Sequence, residues 1–230
     1  MESVPPGDVD HEVGRQATEF LGEGYGKITA FAEALAAEGV LRGLIGPREL
    51  PRLWERHLLN SAALLPYLPA TGTVIDVGSG AGLPGLVIAC ARPELEVVLV
   101  EPMERRATWL REMAETLELD TVLVVQRRAE DVHGELEADV VTARAVAALD
   151  RLMTWCFPLV RLGGSLLAMK GSRAQDEVDD AAPLIERLGG APAELLRAET
   201  VPGVEPTGLV RVVRVRPAPP ARKTKRPRRR

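Results

Sequence analysis

The sequence predicts an α/β fold in which a seven-stranded, mostly parallel sheet is covered on both faces and preceded by a helical extension. Three observations carry this. Apolar residues recur at helical spacing from position 17 to about 68; after Gly72 the pattern changes to short strands alternating with helices; and those strands are continuous apolar runs. Such runs belong to parallel sheets buried on both sides, because the crossover helices that join parallel neighbours cover both faces. Hydrophobic residues make up 46% of the 230-residue chain but aromatics only 3%, so the core must be aliphatic. Scarce aromatics also argue against the base-stacking platforms of single-strand RNA binders.

Residues 1–16 are rich in Pro, Gly and acid and are expected to be disordered. In the helical region 17–70, Phe20, Leu21, Tyr25, Ile28, Phe31, Ala32 and Leu35 suit one or two amphipathic helices. Gly39, Gly43, Gly46 and Pro47 break that pattern, and a further helix is expected from near Pro47 through Trp54, His57 and Leu58 to Leu65. The core region 71–216 carries strands at 73–77, 96–101, 121–126, 138–142 and 164–169, with weaker ones near 194–201 and 208–215. Helices fall between them at 84–91, 103–118, 148–160 and 174–188. Residues 217–230 form a low-complexity Pro- and Arg-rich tail that cannot pack.

The net charge of −4 does not suggest a nucleic-acid binder, but it is unevenly spread. From Pro217 onward there are seven basic residues and no acid, which leaves −11 on the rest of the chain. An RNA site on the body must then be a local basic patch on an acidic surface, while the tail is either a second set of phosphate contacts or a solvated disordered end. Cys90 and Cys156, both in apolar surroundings, read as buried free thiols, and neither a metal site nor a disulfide framework is expected. With no apolar run of membrane-spanning length and no basic-then-apolar leader, the expected location is the cytoplasm.

The chemistry concentrates after the first strand, where Val74-Ile75-Asp76-Val77-Gly78-Ser79-Gly80-Ala81-Gly82-Leu83-Pro84-Gly85 joins it to its helix. Gly78, Gly80 and Gly82 let the backbone turn tightly and approach a ligand. Two features favour S-adenosylmethionine over a dinucleotide. Asp76, at the strand end, can hold the methionine ammonium directly or through water and would repel a pyrophosphate. Pro84 fits the first turn of the helix and removes an amide that a phosphate site would use. Glu101, at the end of the second strand, can accept both ribose hydroxyls of an adenosine. NAD sites use the same device, so an NAD-dependent oxidoreductase stays open at this point. After the third strand the Ala129 amide, with Glu130 or Asp131, either reads an adenine edge or opens a helix whose N-terminus the acids stabilise.

Ligands of open parallel sheets bind outside the carboxyl ends of the strands. Basic residues follow four of the expected strands there: Arg105 and Arg106, Arg127 and Arg128, Arg144, and Lys170. Arg105 and Arg106 read as solvated surface charges. Arg144 and Lys170 lie in apolar stretches, where an idle charge would be costly, and are the catalytic candidates. His57, on a helix with Trp54 and Leu58, reads as structural.

Taken in order, Arg56-His57-Leu58-Leu59-Asn60-Ser61, Asp76 through Gly85, Thr142-Ala143-Arg144-Ala145 and Ala168-Met169-Lys170-Gly171 resemble the bacterial ribosomal RNA small subunit methyltransferase G family, also called glucose-inhibited division protein B. The likeness spans roughly residues 20 to 215. It implies a Rossmann-like class I S-adenosylmethionine-dependent methyltransferase that acts on N7 of one guanine in the decoding-region loop of 16S rRNA. The substrate would be the free RNA or the 30S subunit and its assembly intermediates, and the enzyme a monomer. By motif match Gly78, Leu83, Ala129, Glu130 and Arg144 would contact the cofactor. Members often carry Asp where this chain has Asn60, and a Tyr-Asn-Leu-Thr stretch where it has Gly39 to Leu44. Arg144 or Lys170 is expected to donate to guanine O6, with Lys170→Met lowering turnover far more than cofactor affinity. A methyltransferase of a small molecule or protein, and a non-enzymatic RNA-binding assembly factor, are the competing readings.

Overall fold

A computed structural model describes residues 11–217. Its centre is a sheet of seven strands: β1 (Gly72–Val77), β2 (Leu95–Val100), β3 (Val122–Val125), β4 (Ala138–Arg144), β5 (Val160–Met169), β6 (Glu194–Ala198) and β7 (Thr207–Val213). They lie in the order β3-β2-β1-β4-β5-β7-β6. The first five run parallel, and β7 is antiparallel to both β5 and β6. The chain reverses direction across the sheet between β1 and β4, and the loops after these two strands open a crevice at their carboxyl ends.

Successive strand residues face opposite sides. Val74, Val97, Val140, Leu167 and Leu209 join one apolar cluster, and Ile75, Val98, Val141, Leu166 and Val210 the other. The first cluster lies under α1 (His11–Leu21), α2 (Tyr25–Glu38), α4 (Gly85–Ala91) and α5 (Glu104–Thr116), together with the irregular helical stretch that ends in α3 (Asn60–Ala62). The second lies under α6 (Leu149–Trp155) and α7 (Ala174–Arg187). Both cysteines are free and buried.

Four stretches depart furthest from the sequence reading. Residues 11–16, expected in the disordered N-terminus, are the first turns of α1, whose Ala17 and Leu21 are buried against the core; residues 1–10 lie outside the described residues. The helix expected from Pro47 is instead a 3₁₀ turn at Leu50–Arg52, where Pro51 has no amide to donate, followed by a π-helical segment over Trp54–Leu59. The helix expected over 148–160 stops at Trp155, and Pro158 lies in the 3₁₀ turn Phe157–Leu159 that follows. β5 begins earlier than expected because it runs through Gly163 and Gly164. There a Cβ on Gly164 would stand 2.6 Å from the Asp139 carbonyl oxygen, so only glycine lets β4 and β5 pass at their register shift. Of the tail, residues 218–230 lie outside the described residues.

Candidate active site

The glycine turn after β1 is held from four sides. Gly78 N–H donates to the Val100 carbonyl at 2.8 Å, tying the turn to the end of β2. Glu101, buried just beyond β2, accepts the Gly80 N–H at Oε2 and the Met103 N–H at Oε1, both at 2.9 Å. Trp109 of α5 donates from its indole Nε1 to the Ala81 carbonyl at 3.0 Å. Asp76 Oδ2 accepts the Gly85 N–H at 3.0 Å, so this carboxylate caps α4 from below. A Cβ on Gly85 would come within 2.7 Å of that same oxygen and 2.3 Å of Leu99, which is why the helix can start directly against the sheet. Pro84 therefore precedes the helix instead of occupying its first turn as expected.

The turn walls a cavity of about 410 Å³ that also touches Glu101, Met103, Arg106, His57, Arg144 and Val146. Gly78 has φ +70°, and a Cβ there would stand 2.9 Å from Val146, so the loop after β4 passes directly over the turn. Asp76, two residues before Gly78 and outside the cavity wall, is fully buried, and its Oδ1 has no hydrogen-bond partner. Burial pushes its carboxyl up to about 7, against the lowering effects of the Gly85 amide, the Ser79 hydroxyl and the Arg144 charge. An orphaned, buried carboxylate oxygen beside a glycine turn is an arrangement that lacks one cationic or hydrogen-bonding partner.

A second cleft, of about 520 Å³, lies on the other side of Arg144 between the π-helical segment and the ends of β5 and β7. Both cavities are bounded by His57, Arg144 and Ala145. Arg144 Nη2 lies 2.9 Å from His57 Nδ1, while its Nη1 approaches Asn60 Oδ1 at 3.3 Å and the Arg56 carbonyl at 3.4 Å. His57 Nε2 lies 2.9 Å from Glu49 Oε2. Among the described residues no carboxylate forms an ion pair with Arg144, although Asp76 lies near enough to attract it. Arg52, Glu55 and Arg56 line the second cleft on one side and Lys170, Glu205 and Thr207 on the other.

The arrangement is decided by a match to the chain itself: the model of the family described as rRNA small subunit methyltransferase G covers residues 25–198. The chain belongs to that family. Ribosomal RNA small subunit methyltransferase G of a Nocardioides species is 55% identical over 183 residues, which is 80% of this chain and 73% of that protein. The protein of the same name from Salinispora arenicola is 49% identical over 222 residues and 92% of each chain. Among solved structures, P. horikoshii TYW2 in complex with MeSAdo superposes with a TM-score of 0.53 at 17% identity, over 70% of this chain and 62% of that one. A ribosomal protein L11 methylase from Lactobacillus delbrueckii subsp. bulgaricus gives 0.52 at 14% identity, over 69% and 77%. At such identities the two structures speak for the shared fold.

In this chain the structure gathers Gly78, Gly80, Leu83, Glu101 and Arg144 around one cavity, with Gly82 in the same turn and Asp76 buried in the strand that leads into it. Ala129 and Glu130 are not in its wall. Ala129 is buried at the start of the 3₁₀ turn Ala129–Val132, and Glu130 is exposed. Arg127 pairs with Glu135 and Arg105 is exposed, both ordinary surface charges, but Arg106 lines the cavity with its guanidinium 4.0 Å from Glu101.

Lys170 departs most from expectation. Its ammonium donates to the Ala147 carbonyl at 2.6 Å and to Glu177 Oε2 at 2.7 Å, and the side chain is only 7% exposed. Glu177 in turn accepts the Leu149 N–H that opens α6. The buried charge is thus neutralised by a partner on α7 and pins the loop 145–148, with two of its three N–H donors engaged. His57, read from sequence as structural, stands in the wall of both cavities.

Proposed function

We propose that this methyltransferase transfers the methyl group of S-adenosylmethionine to N7 of a guanine in the decoding-region loop of 16S rRNA, in the cytoplasm. The observation that carries the reading is the pair of cavities that share His57, Arg144 and Ala145 as a common wall. One suits an adenosyl cofactor and the other a base brought against it.

When bound, S-adenosylmethionine supplies an electrophilic methyl group on a sulfonium sulfur. The residues present fit it: Glu101 for the ribose, the glycine turn for close backbone approach, and the unpartnered Asp76 Oδ1 for the ammonium. Guanine N7 carries an in-plane lone pair and no proton, so its attack needs no general base. What it needs is placement in line with the methyl group. N7 lies on the major-groove edge, which is out of reach of side chains in A-form RNA, so the base must enter the second cleft unpaired. There Arg144 orients it, and Arg52 and Arg56 offer cations to the neighbouring phosphates. Transfer of tritiated methyl groups to unmethylated 16S rRNA, naked and in 30S particles, tests the reading. Label recovered as 7-methylguanosine supports it, and label only on another nucleoside, a protein or a small molecule overturns it.

Two properties of the cofactor cavity follow. Glu101→Ala removes charged hydrogen bonds of about 1.5–3 kcal/mol and should weaken S-adenosylmethionine roughly 10- to 150-fold. Because Glu101 also anchors the Gly80 and Met103 amides, the loss should fall toward the upper end. Unchanged affinity by titration calorimetry removes Glu101 from the site.

The second concerns pH. The Asp76 carboxyl titrates near 7 in the fold, above its unfolded value. Its ionisation therefore opposes folding, and the stability it contributes is greatest where it is protonated and declines as pH rises toward 7. A bound ammonium reverses that preference. At pH 6 cofactor binding should release close to one proton, seen as buffer-dependent binding heat, and Asp76→Asn should abolish the release. Equal heats in buffers of different ionisation enthalpy would falsify this.

A further inference from the structure

Arg144 can orient a base only if its own guanidinium is fixed, and what fixes it is unusual. A charge partner is the ordinary solution for an arginine this enclosed. Here its contacts are neutral: His57 Nδ1, Asn60 Oδ1 and the Arg56 carbonyl. The imidazole contact, at 2.9 Å, is the shortest of the three.

The protonation of His57 follows from its two neighbours. A carboxylate can only accept, so Nε2, 2.9 Å from Glu49 Oε2, carries the hydrogen. A guanidinium can only donate, so Nδ1 must be bare. Local backbone geometry makes this possible. The π-helical segment Trp54–Leu59 buries Leu58 and Leu59 in the core and turns His57 and, three residues on, Asn60 toward the end of β4. Asn60 is oriented separately, its Nδ2 donating to Thr207 Oγ1 at 2.6 Å.

We infer that Glu49 and His57 form a positioning relay for Arg144: Glu49 holds His57 as the tautomer with hydrogen on Nε2, and the bare Nδ1 fixes the guanidinium in the wall between the two cavities. The inference rests on the methyl-transfer reading for its kinetic consequences but not for its geometry.

A relay of this kind is set by pH. A proton on Nδ1 would turn the acceptor into a donor facing a guanidinium, and the contact would break. His57 is protected from this at neutral pH. Burial, and then the Arg144 and Arg56 charges, hold its proton affinity below the usual histidine range, while Glu49 works the other way. The remaining charges that face the relay are Arg52 and Glu55 on the same stretch, Lys170 and Glu205 across the second cleft, and Asp76, Glu101 and Arg106 on the cofactor side.

The test has two arms. In the free protein, nitrogen-15 NMR of the imidazoles should show His57 as the Nε2–H tautomer, and Arg144→Met should raise its proton affinity by removing a like charge. In the enzyme, kcat at saturating cofactor and RNA should fall on an acid limb that reports His57, separate from the Asp76 effect on cofactor affinity. His57→Leu should lower kcat roughly 10- to 100-fold by freeing the guanidinium. His57→Asn, whose Oδ1 can accept at nearly the same place without titrating, should recover most of that loss and abolish the limb. Glu49→Gln should move the limb to lower pH. An Nδ1–H tautomer, or an acid limb that persists in His57→Asn, overturns the relay. Should no RNA accept a methyl group, the functional reading fails and the NMR arm still decides the relay.

Discussion

Arg144→Met should lower kcat for methyl transfer by about 100-fold or more at saturating cofactor and RNA, while the S-adenosylmethionine Kd moves far less. The expectation rests on placement. The guanidinium stands in the wall common to both cavities, and attack by the proposed N7 nucleophile needs no proton transfer, only alignment. A displacement on the order of 1 Å in such a step costs about two orders of magnitude. Arg144→Lys should recover little, because a point charge on a flexible stem cannot meet His57 and Asn60 together. Rapid-quench measurement of a single turnover, beside calorimetric titration of the cofactor, separates the two quantities. An equal loss in both would assign Arg144 to the cofactor alone.

Lys170→Met should destabilise the protein by about 3 kcal/mol, since it leaves the Glu177 carboxylate enclosed without its cation and the Ala147 carbonyl without a donor. The pair is mostly shielded from solvent, with side-chain exposures of 7% and 21%, so screening removes little of this. The loop it pins includes Ala145 at φ +54°, a left-handed conformation that a side chain adopts at some cost. Freed from Lys170, that loop should relax away from Gly78, and turnover should fall as a consequence of lost order. The double variant Lys170→Met/Glu177→Gln should be more stable than Lys170→Met alone, because the amide can still accept from Leu149 without an orphaned charge. Denaturant midpoints decide the matter. A single variant within about 0.5 kcal/mol of the parent would show the ion pair to be idle.

The parts of this protein that were legible in the sequence are those whose cause is local. The strand-turn-helix over Asp76 to Gly85 announces itself because only glycine suits φ +70° at Gly78 and +103° at Gly82. Glu101 was readable for a similar reason: it ends a short apolar run at the place where a sheet presents its ligands. The pairing of Lys170 is not legible, because its apolar neighbours say only that a charge there needs a partner. They could not say that the partner is Glu177, seven residues on in α7. His57 was set aside because its meaning depends on Glu49, eight residues earlier across a π-helical segment that periodicity does not reveal, and on Arg144, 87 residues later. The helical turns at 11–16 were missed because polar composition outweighed the anchoring of Ala17 and Leu21. Ala129 and Glu130 follow from their place after β3 and from the motif match, and neither stands in the cavity wall.

The segment that carries His57 and Asn60 shares its interior with the catalytic sheet: Ile28, Phe31, Leu35, Leu58 and Leu59 pack in the same cluster as Val74, Leu86 and Leu99. A Cβ on Gly24 would stand 2.6 Å from the Ala91 backbone, so the first helices are seated on α4 with no room for a sliding joint. The wall of the second cleft is therefore not a detachable module. Exchanging that segment for a foreign one would strip the sheet of its buried partners Ile28, Phe31, Leu35, Leu58 and Leu59, so a reshaped cleft must come one side chain at a time on a face that is already welded in place.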